Sequence, residues 1–266
     1  MFEFGSQSFD GATLALGALA VLSIVLIIKK VIKTTIILIL TLVIAALVFL
    51  YSKNQQSNVD PPTFTGSVAT STDVKAMLNY LEVDDAQTAL PYPGDKFGGD
   101  YWQQIHNCKT DARVYIAEAQ GKYLTKINDC RPTSGTWISP YSGKILKNTS
   151  EMEIDHLVPK EEAWLSGAYA WTDAQRKAFK NDLGYAPTLM AVQARENEQK
   201  HSDQPGFGKN HFLPSSLSYR CTYIAEWIAV KYRWSLSVDS DEKARLENLL
   251  VPCDGKIQIP IPKLAR

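Results

Sequence analysis

The chain is 266 residues long, with 28 Lys and Arg against 28 Asp and Glu, four His, four Cys and 45% hydrophobic residues. That composition excludes a wholly disordered chain, and the net charge of zero excludes a polybasic protein that holds nucleic acid by bulk electrostatics. Four of the bases and three of the acids precede Pro61, leaving 24 and 25 beyond it, so any positive groove must be local.

The average hides two unlike parts. Gly11 to Ile28 and Thr34 to Ser52, 18 and 19 residues, carry no charge, and each approaches the length of a bilayer-spanning helix. Lys29, Lys30 and Lys33 lie between them. Residues 1–52 therefore read as an N-terminal two-helix transmembrane hairpin in the lipid bilayer, its basic turn cytoplasmic and the rest of the chain outside. A cleaved signal peptide and a single long bent span with snorkelling lysines are the alternatives. Residues 53–72, rich in Ser, Thr, Asn, Gln and Pro, read as a flexible linker, and 73–266 as an extracellular domain long enough for one core.

The domain reads as α+β. Val74–Leu81 is helical and is followed by a Pro/Gly-rich loop at 91–94; Ala112–Ala119 is a strand or a short helix. Gly135–Ile145 reads as two short strands about a Ser-Gly turn, and Met152–Val158 as a strand ended by Pro159. Helices are expected at Glu161–Trp171 and, behind a Thr172 cap, at Thr172–Leu183. A strand at Leu189–Val192, a short helix at Ala194–His201 and a longer one at Tyr219–Arg233 complete the pattern.

Cys108, Cys130, Cys221 and Cys253 all follow the apolar segment and form no CxxC pair, which favours disulfides in an oxidising exterior over zinc, redox chemistry or free thiols. Of three connectivities, Cys108 with Cys130 and Cys221 with Cys253 close the short loops, worth about 3 kcal/mol each in the chain-entropy model.

Chemistry-bearing residues gather at Glu153-Ile154-Asp155-His156 and at Glu196-Asn197-Glu198-Gln199-Lys200-His201. Adjacent residues of a strand point to opposite sides, so Asp155 and His156 serve one site only if the strand end twists or bulges. Asn197 and His201, four apart, share a helix face and would add oxygen and nitrogen donors to Asp155 for a divalent cation. His106 and His211 sit in polar loops and read as surface residues. Trp102, Trp137 and Trp171 read as core before base-stacking, and Lys160 and Arg176 as solvated before phosphate-binding.

Asp155-His156-Leu157-Val158-Pro159 followed by Asn197-Glu198-Gln199-Lys200 resembles the signature of HNH endonucleases with a ββα-metal (His-Me finger) core. The closer resemblance is to a secreted HNH family of Gram-positive bacteria related to the C-terminal domain of GmrSD-type restriction enzymes. It covers most of 90–254 through Gly135-Thr136-Trp137, Tyr141-Ser142-Gly143, Glu162-Ala163-Trp164, Asn181-Asp182-Leu183 and Val230-Lys231-Tyr232-Arg233-Trp234. It implies a ββα-metal HNH core with added helices and a metal-dependent endonuclease that hydrolyses DNA or other nucleic acid. In that comparison Asp155 matches the metal-binding acid, His156 the general base and Asn197 the second metal ligand. Asn181 matches an Asn that orients the base through its backbone or ring, and Lys200 a basic residue near the phosphate. His201 stands where the family often has a small residue; by spacing it resembles the last His of colicin-type HNH sites, a further metal ligand, with an exposed helix-end histidine as the alternative. Mg2+ suits the mostly oxygen ligands, Mn2+ could replace it, and Zn2+ is favoured only if His201 ligates. The chain departs from the family at Cys108-Lys109-Thr110-Asp111-Ala112-Arg113, where an acid stands in the place of an Arg and a base in that of an acid. A swapped Asp111–Arg113 ion pair and an altered substrate contact are the two readings of it. It also motivates a second functional reading, a catalytically silent scaffold for adhesion or nucleic-acid binding; a third is a transported nuclease toxin with the apolar hairpin as its targeting segment.

Overall fold

A computed structural model describes residues 27–47, 61–64, 66–86, 91–99, 101–125 and 130–265. The chain divides into two units between Asp60 and Pro61.

Within the first unit, helix α1 runs from Ile27 to Leu47, with a mean hydropathy of 2.2. Its 21 residues span about 31 Å, the thickness of a bilayer's hydrocarbon core, and none of its hydrophobic window is buried in protein. Thr34, Thr35 and Thr41 return their hydroxyls to carbonyls three or four residues back, which satisfies them inside an apolar helix. This corrects the expected hairpin: Lys29, Lys30 and Lys33 lie within a helix that is continuous over Ile27–Leu47 and make no turn. Residues 29–33 lack Gly, Pro, Asn or Asp, the residues a reversal needs. The expected first span falls largely outside the described residues.

The second unit is α+β. Strand β1 (Ala69–Thr70) leads into α2 (Ser71–Tyr80) and pairs with the distant β9 (Gln258–Ile259). Ala69 is fully buried and Phe64 packs on the core, so the linker gives way to folded chain earlier than residue 73. A short hairpin, β2 (Gln104–Ile105) and β3 (Cys108–Lys109), precedes α3 (Thr110–Glu118), which resolves the ambiguous segment as helix. Strands β4 (Leu124–Thr125), β5 (Pro132–Ile138) and β6 (Ile145–Asn148) form an antiparallel sheet, with β5 and β6 joined at the expected turn, where Gly143 has φ 75°.

Strand β7 (Met152–His156) pairs antiparallel with β8 (Leu189–Gln193), from Met152 opposite Gln193 to His156 opposite Leu189, without a register shift. Between them lie α4 (Lys160–Leu165), broken at Gly167 with φ 116°, and α5 (Asp173–Lys180), opened by a Thr172–Gln175 capping box. Strand β8 runs directly into α6 (Ala194–Lys200). Helix α7 (Leu217–Arg233) is buried continuously from Tyr223 to Tyr232 and carries the main core with α2 and α8 (Ser240–Leu250), the last of which has no counterpart among the elements expected from sequence. A smaller core of Val114, Tyr115, Trp137, Leu146, Met152, Leu189 and Ala191 fills the opposite face of β7–β8.

Disulfides join Cys108 to Cys130 and Cys221 to Cys253, as the loop lengths favoured. The second ties α7 to the end of α8. Beneath them Lys231, fully buried, donates to Glu162, Ser166 and Glu242 and to the Ser237 carbonyl. Removing the ammonium leaves two carboxylates buried without their cation, so Lys231→Ala should lose ~3–5 kcal/mol of stability by urea denaturation. Burial also pushes Glu118 and Glu226 up to about 7. The fold favours their protonated forms, so that contribution is complete below the ordinary 4.5 and is lost as pH rises through about 7. The melting temperature should therefore fall between pH 5.5 and 8, and Glu226→Gln should lessen the fall.

Candidate active site

The unbroken β7–β8 register fixes the central geometry. Asp155 lies opposite Met190 on the face of the large core, whereas His156 lies opposite Leu189 on the face of the small one. No register shift or bulge interrupts the pairing of these strands. The two side chains meet only at the outer edge of β7, where a cavity of about 310 Å3 is lined by Asp155, His156, Lys160, Lys180, Asn197 and His201 among others.

His156 is held on three sides. Trp102 stacks on its ring at 5.5 Å and 10°, and Phe179 at 5.9 Å and 17° on α5. Its Nε2 lies 3.0 Å from the carbonyl oxygen of Lys180. A carbonyl only accepts, so Nε2 carries the proton and Nδ1 keeps a lone pair. Burial, reinforced by the positive charge of Lys160, pushes the ring's pKa down to about 3 and keeps it neutral. The Lys180 carbonyl stays in place because its own ammonium bonds the carbonyls of Gly99 and Tyr101.

Helix α6 closes the other face. Asn197 donates through Nδ2 to Glu153 at 2.7 Å, which leaves its Oδ1 as an acceptor. Lys200 Nζ lies 2.9 Å from both Asp155 Oδ1 and the His156 carbonyl, and the Tyr141 hydroxyl donates to Asp155 Oδ2. Burial pushes Asp155 up and Lys200 down, each against the pull of the other. His201 ends α6 at φ 49°, a backbone region costly for any residue but Gly, with Nδ1 on the Ser202 hydroxyl.

Several assignments change. Asn181 accepts from Gln103 N and the Thr110 hydroxyl and donates to Lys177, while the neighbouring Lys180 carbonyl orients His156. Lys200 is fully buried and anchors Asp155, so it cannot reach a phosphate. Arg176 is also buried, on the carbonyls of Lys96 and Ala168. Asp111 pairs at 3.1 Å with Arg131, which follows Cys130, and not with Arg113. Trp102, Glu153 and Tyr141 carry no motif that marks them as partners of His156, Asn197 and Asp155.

Among the described residues no three His, Cys, Asp or Glu side chains gather as a metal cluster. The chemistry of the cavity nonetheless fits one hard cation, because Asp155 and the free Oδ1 of Asn197 supply oxygens. Lys200 already balances the charge of Asp155, so a dication would share that carboxylate with the ammonium.

His156 is thus a neutral imidazole, fixed in one tautomer beside acceptor oxygens in an open cavity. The chain belongs to the family described as GmrSD restriction endonucleases, C-terminal domain, whose model matches residues 116–249. That family is nuclease-related. An "Uncharacterized secreted protein" of Arthroderma benhamiae is 45% identical over 104 residues, 39% of this chain and 48% of that protein. The chain thus spans about half the length of that curated relative. No solved structure matches significantly.

Replacing Trp102 by Ala admits water to the imidazole. The His156 pKa, followed by NMR titration, should climb from about 3 toward the ordinary 6.5.

Proposed function

We propose that this protein is a metal-dependent endonuclease that hydrolyses phosphodiester bonds of DNA, and of RNA where it is offered, at the His156 cavity. The observation that carries the reading is the held, neutral His156 in a chain of a restriction-endonuclease family. Nδ1 of His156 takes the proton of an attacking water. The stacked rings of Trp102 and Phe179 and the Lys180 carbonyl fix the ring plane, so little ordering is left for the reaction step. A phosphate anion beside the ring favours the imidazolium, raising the base strength when substrate arrives. Lys160, on the cavity wall, offsets the phosphate charge. Asp155 and Asn197 would hold the divalent metal, Mg2+ by oxygen preference, with His201 as the nearest nitrogen donor; when bound it supplies Lewis-acid polarisation of the phosphodiester. The β7–β8–α6 unit is read as the ββα core of an HNH nuclease.

The two disulfides, and the description of the relative as secreted, favour an extracellular domain. Helix α1 is read as a membrane anchor. With Lys29, Lys30 and Lys33 on the N-terminal side of the uncharged run 34–52, the positive-inside rule favours placing the chain beyond that run outside. This orientation agrees with the disulfides, whereas an adhesion scaffold has no use for a base held as His156 is.

The test is cleavage of single- and double-stranded DNA and RNA by the full chain, with Mg2+ or with EDTA. His156→Ala should lose at least ~100-fold in rate, the usual worth of a general base. Unchanged cutting by that variant, or in EDTA, would reject the assignment.

A further inference from the structure

Glu153 stands two residues before Asp155 on β7, so both carboxylates belong to the face of the strand that α6 covers. Each meets one residue of that helix: Lys200 Nζ lies 2.9 Å from Asp155 Oδ1, and Asn197 Nδ2 lies 2.7 Å from Glu153 Oε2. The two contacts differ in what they leave over. Lys200 is fully buried, whereas Glu153 is exposed and Asn197 is half-buried on the wall of the His156 cavity. Glu153 itself lines the neighbouring cleft, with Trp102 and Ile154, rather than that cavity.

An asparagine amide has two chemically opposite ends. An ionised carboxylate only accepts, so the end that meets Glu153 is the NH2 group and the carbonyl oxygen is the end left over. The flipped amide would set Oδ1 against a carboxylate oxygen, two acceptors with no proton between them. Among the described residues no other hydrogen bond holds the Asn197 side chain, so Glu153 decides which atom it offers. The bond is charge-assisted, and donating to an anion also makes the carbonyl oxygen of the same amide more negative.

We propose that Glu153 is a positioning residue for the divalent cation: it turns Asn197 so that Oδ1, and not the NH2 group, is presented to the ion. This rests on the reading of Asp155 and Asn197 as the metal-binding pair. A hard cation that meets the NH2 end finds a donor where it needs a lone pair, so the pair is complete in only one of the two orientations of the amide. Partners that orient a metal ligand in this way typically carry a roughly 10- to 100-fold effect on metal affinity. An exposed bond shared with water belongs at the lower end of that range.

The experiment titrates the full chain with Mn2+ in the absence of nucleic acid and follows the free ion by electron paramagnetic resonance. Glu153→Gln keeps the shape but lets two facing amides pair in either orientation. It should weaken Mn2+ binding about tenfold, and Asn197→Ala should weaken it at least as much, with the melting temperature unmoved because the pair is exposed. The bare charge of Glu153 would act whatever stands at position 197, so Asn197→Asp separates the two roles. Its carboxylate shows an oxygen at either end and needs no orienting, so adding Glu153→Gln to it should not weaken binding. An unchanged affinity in Glu153→Gln alone, or the same loss in the Asn197→Asp background, overturns the proposal and leaves the metal reading standing. If Asn197→Asp does not fold, Asn197→Ala serves as the background. A parent protein that takes no Mn2+, or Asn197→Ala without effect, removes the metal-binding pair and the proposal with it. Mn2+ binding that depends on Glu153, without cleavage of nucleic acid, rejects the nuclease reading alone.

Discussion

The alternation of a strand governs this site. Because β7 and β8 pair without a bulge, Asp155 and His156 are forced to opposite faces, and each must find its own support. The two faces meet different partners: α6 packs over the Asp155 side through Lys200 and Asn197, and Trp102 with Phe179 encloses His156. The cavity beside β7 is a place where both residues line one space. An edge left unpaired is ordinarily a liability, and here it is where the open cavities lie.

Burying charge is costly, and the molecule does so twice in the same way. Lys200 and Lys231 are each fully buried, the first bound to Asp155, the His156 carbonyl and, through Asp155, Tyr141; the second joins α7 to α4 and α8. Such networks specify geometry more than they add stability, since every lone pair or proton left over would be penalised. Lys200 in this sense measures the distance from α6 to β7. It positions Asn197, three residues earlier and one turn away, against Glu153. A residue expected beside a phosphate is instead buried, and it sets where the residues that line the cavity stand.

What could be read from the sequence obeys the same logic of range. The short-range signals were legible: Thr172 as a cap, Pro159 as a strand end, the turn at Gly143, and the disulfides from the lengths of the loops they close. Asp155, His156, Asn197 and His201 do come to one cavity. The hairpin misled because hydropathy counts charges and ignores that Lys29 to Lys33 is a good helical segment. The N-terminal limit of the domain was hidden because β1 is fixed only by a partner nearly two hundred residues away. Asn181 misled by one position: the group that orients His156 is a backbone carbonyl, which every residue owns and no motif records. Trp102 and Phe179 are invisible for a related reason, as rings 54 and 23 residues from the histidine meet it only through tertiary packing.

The departure at Asp111 shows how a disulfide can convert a sequence anomaly into a local arrangement. Asp111 and Arg131 each lie within three residues of a cysteine of the Cys108–Cys130 bridge. Once that bridge closes, two residues 20 apart in the chain become neighbours, and an acid on α3 acquires a guanidinium from the start of β5. The acid is balanced by a base 20 residues away in the chain, a pairing about which the neutral total of the chain conveys nothing. Reduction of this bridge would remove the covalent tie and leave the corner to non-covalent contacts, among them an ion pair with a half-exposed guanidinium that water solvates nearly as well. The arrangement of Asp111 and Arg131 therefore leans on the Cys108–Cys130 bridge, and so on the oxidising environment in which such bridges persist.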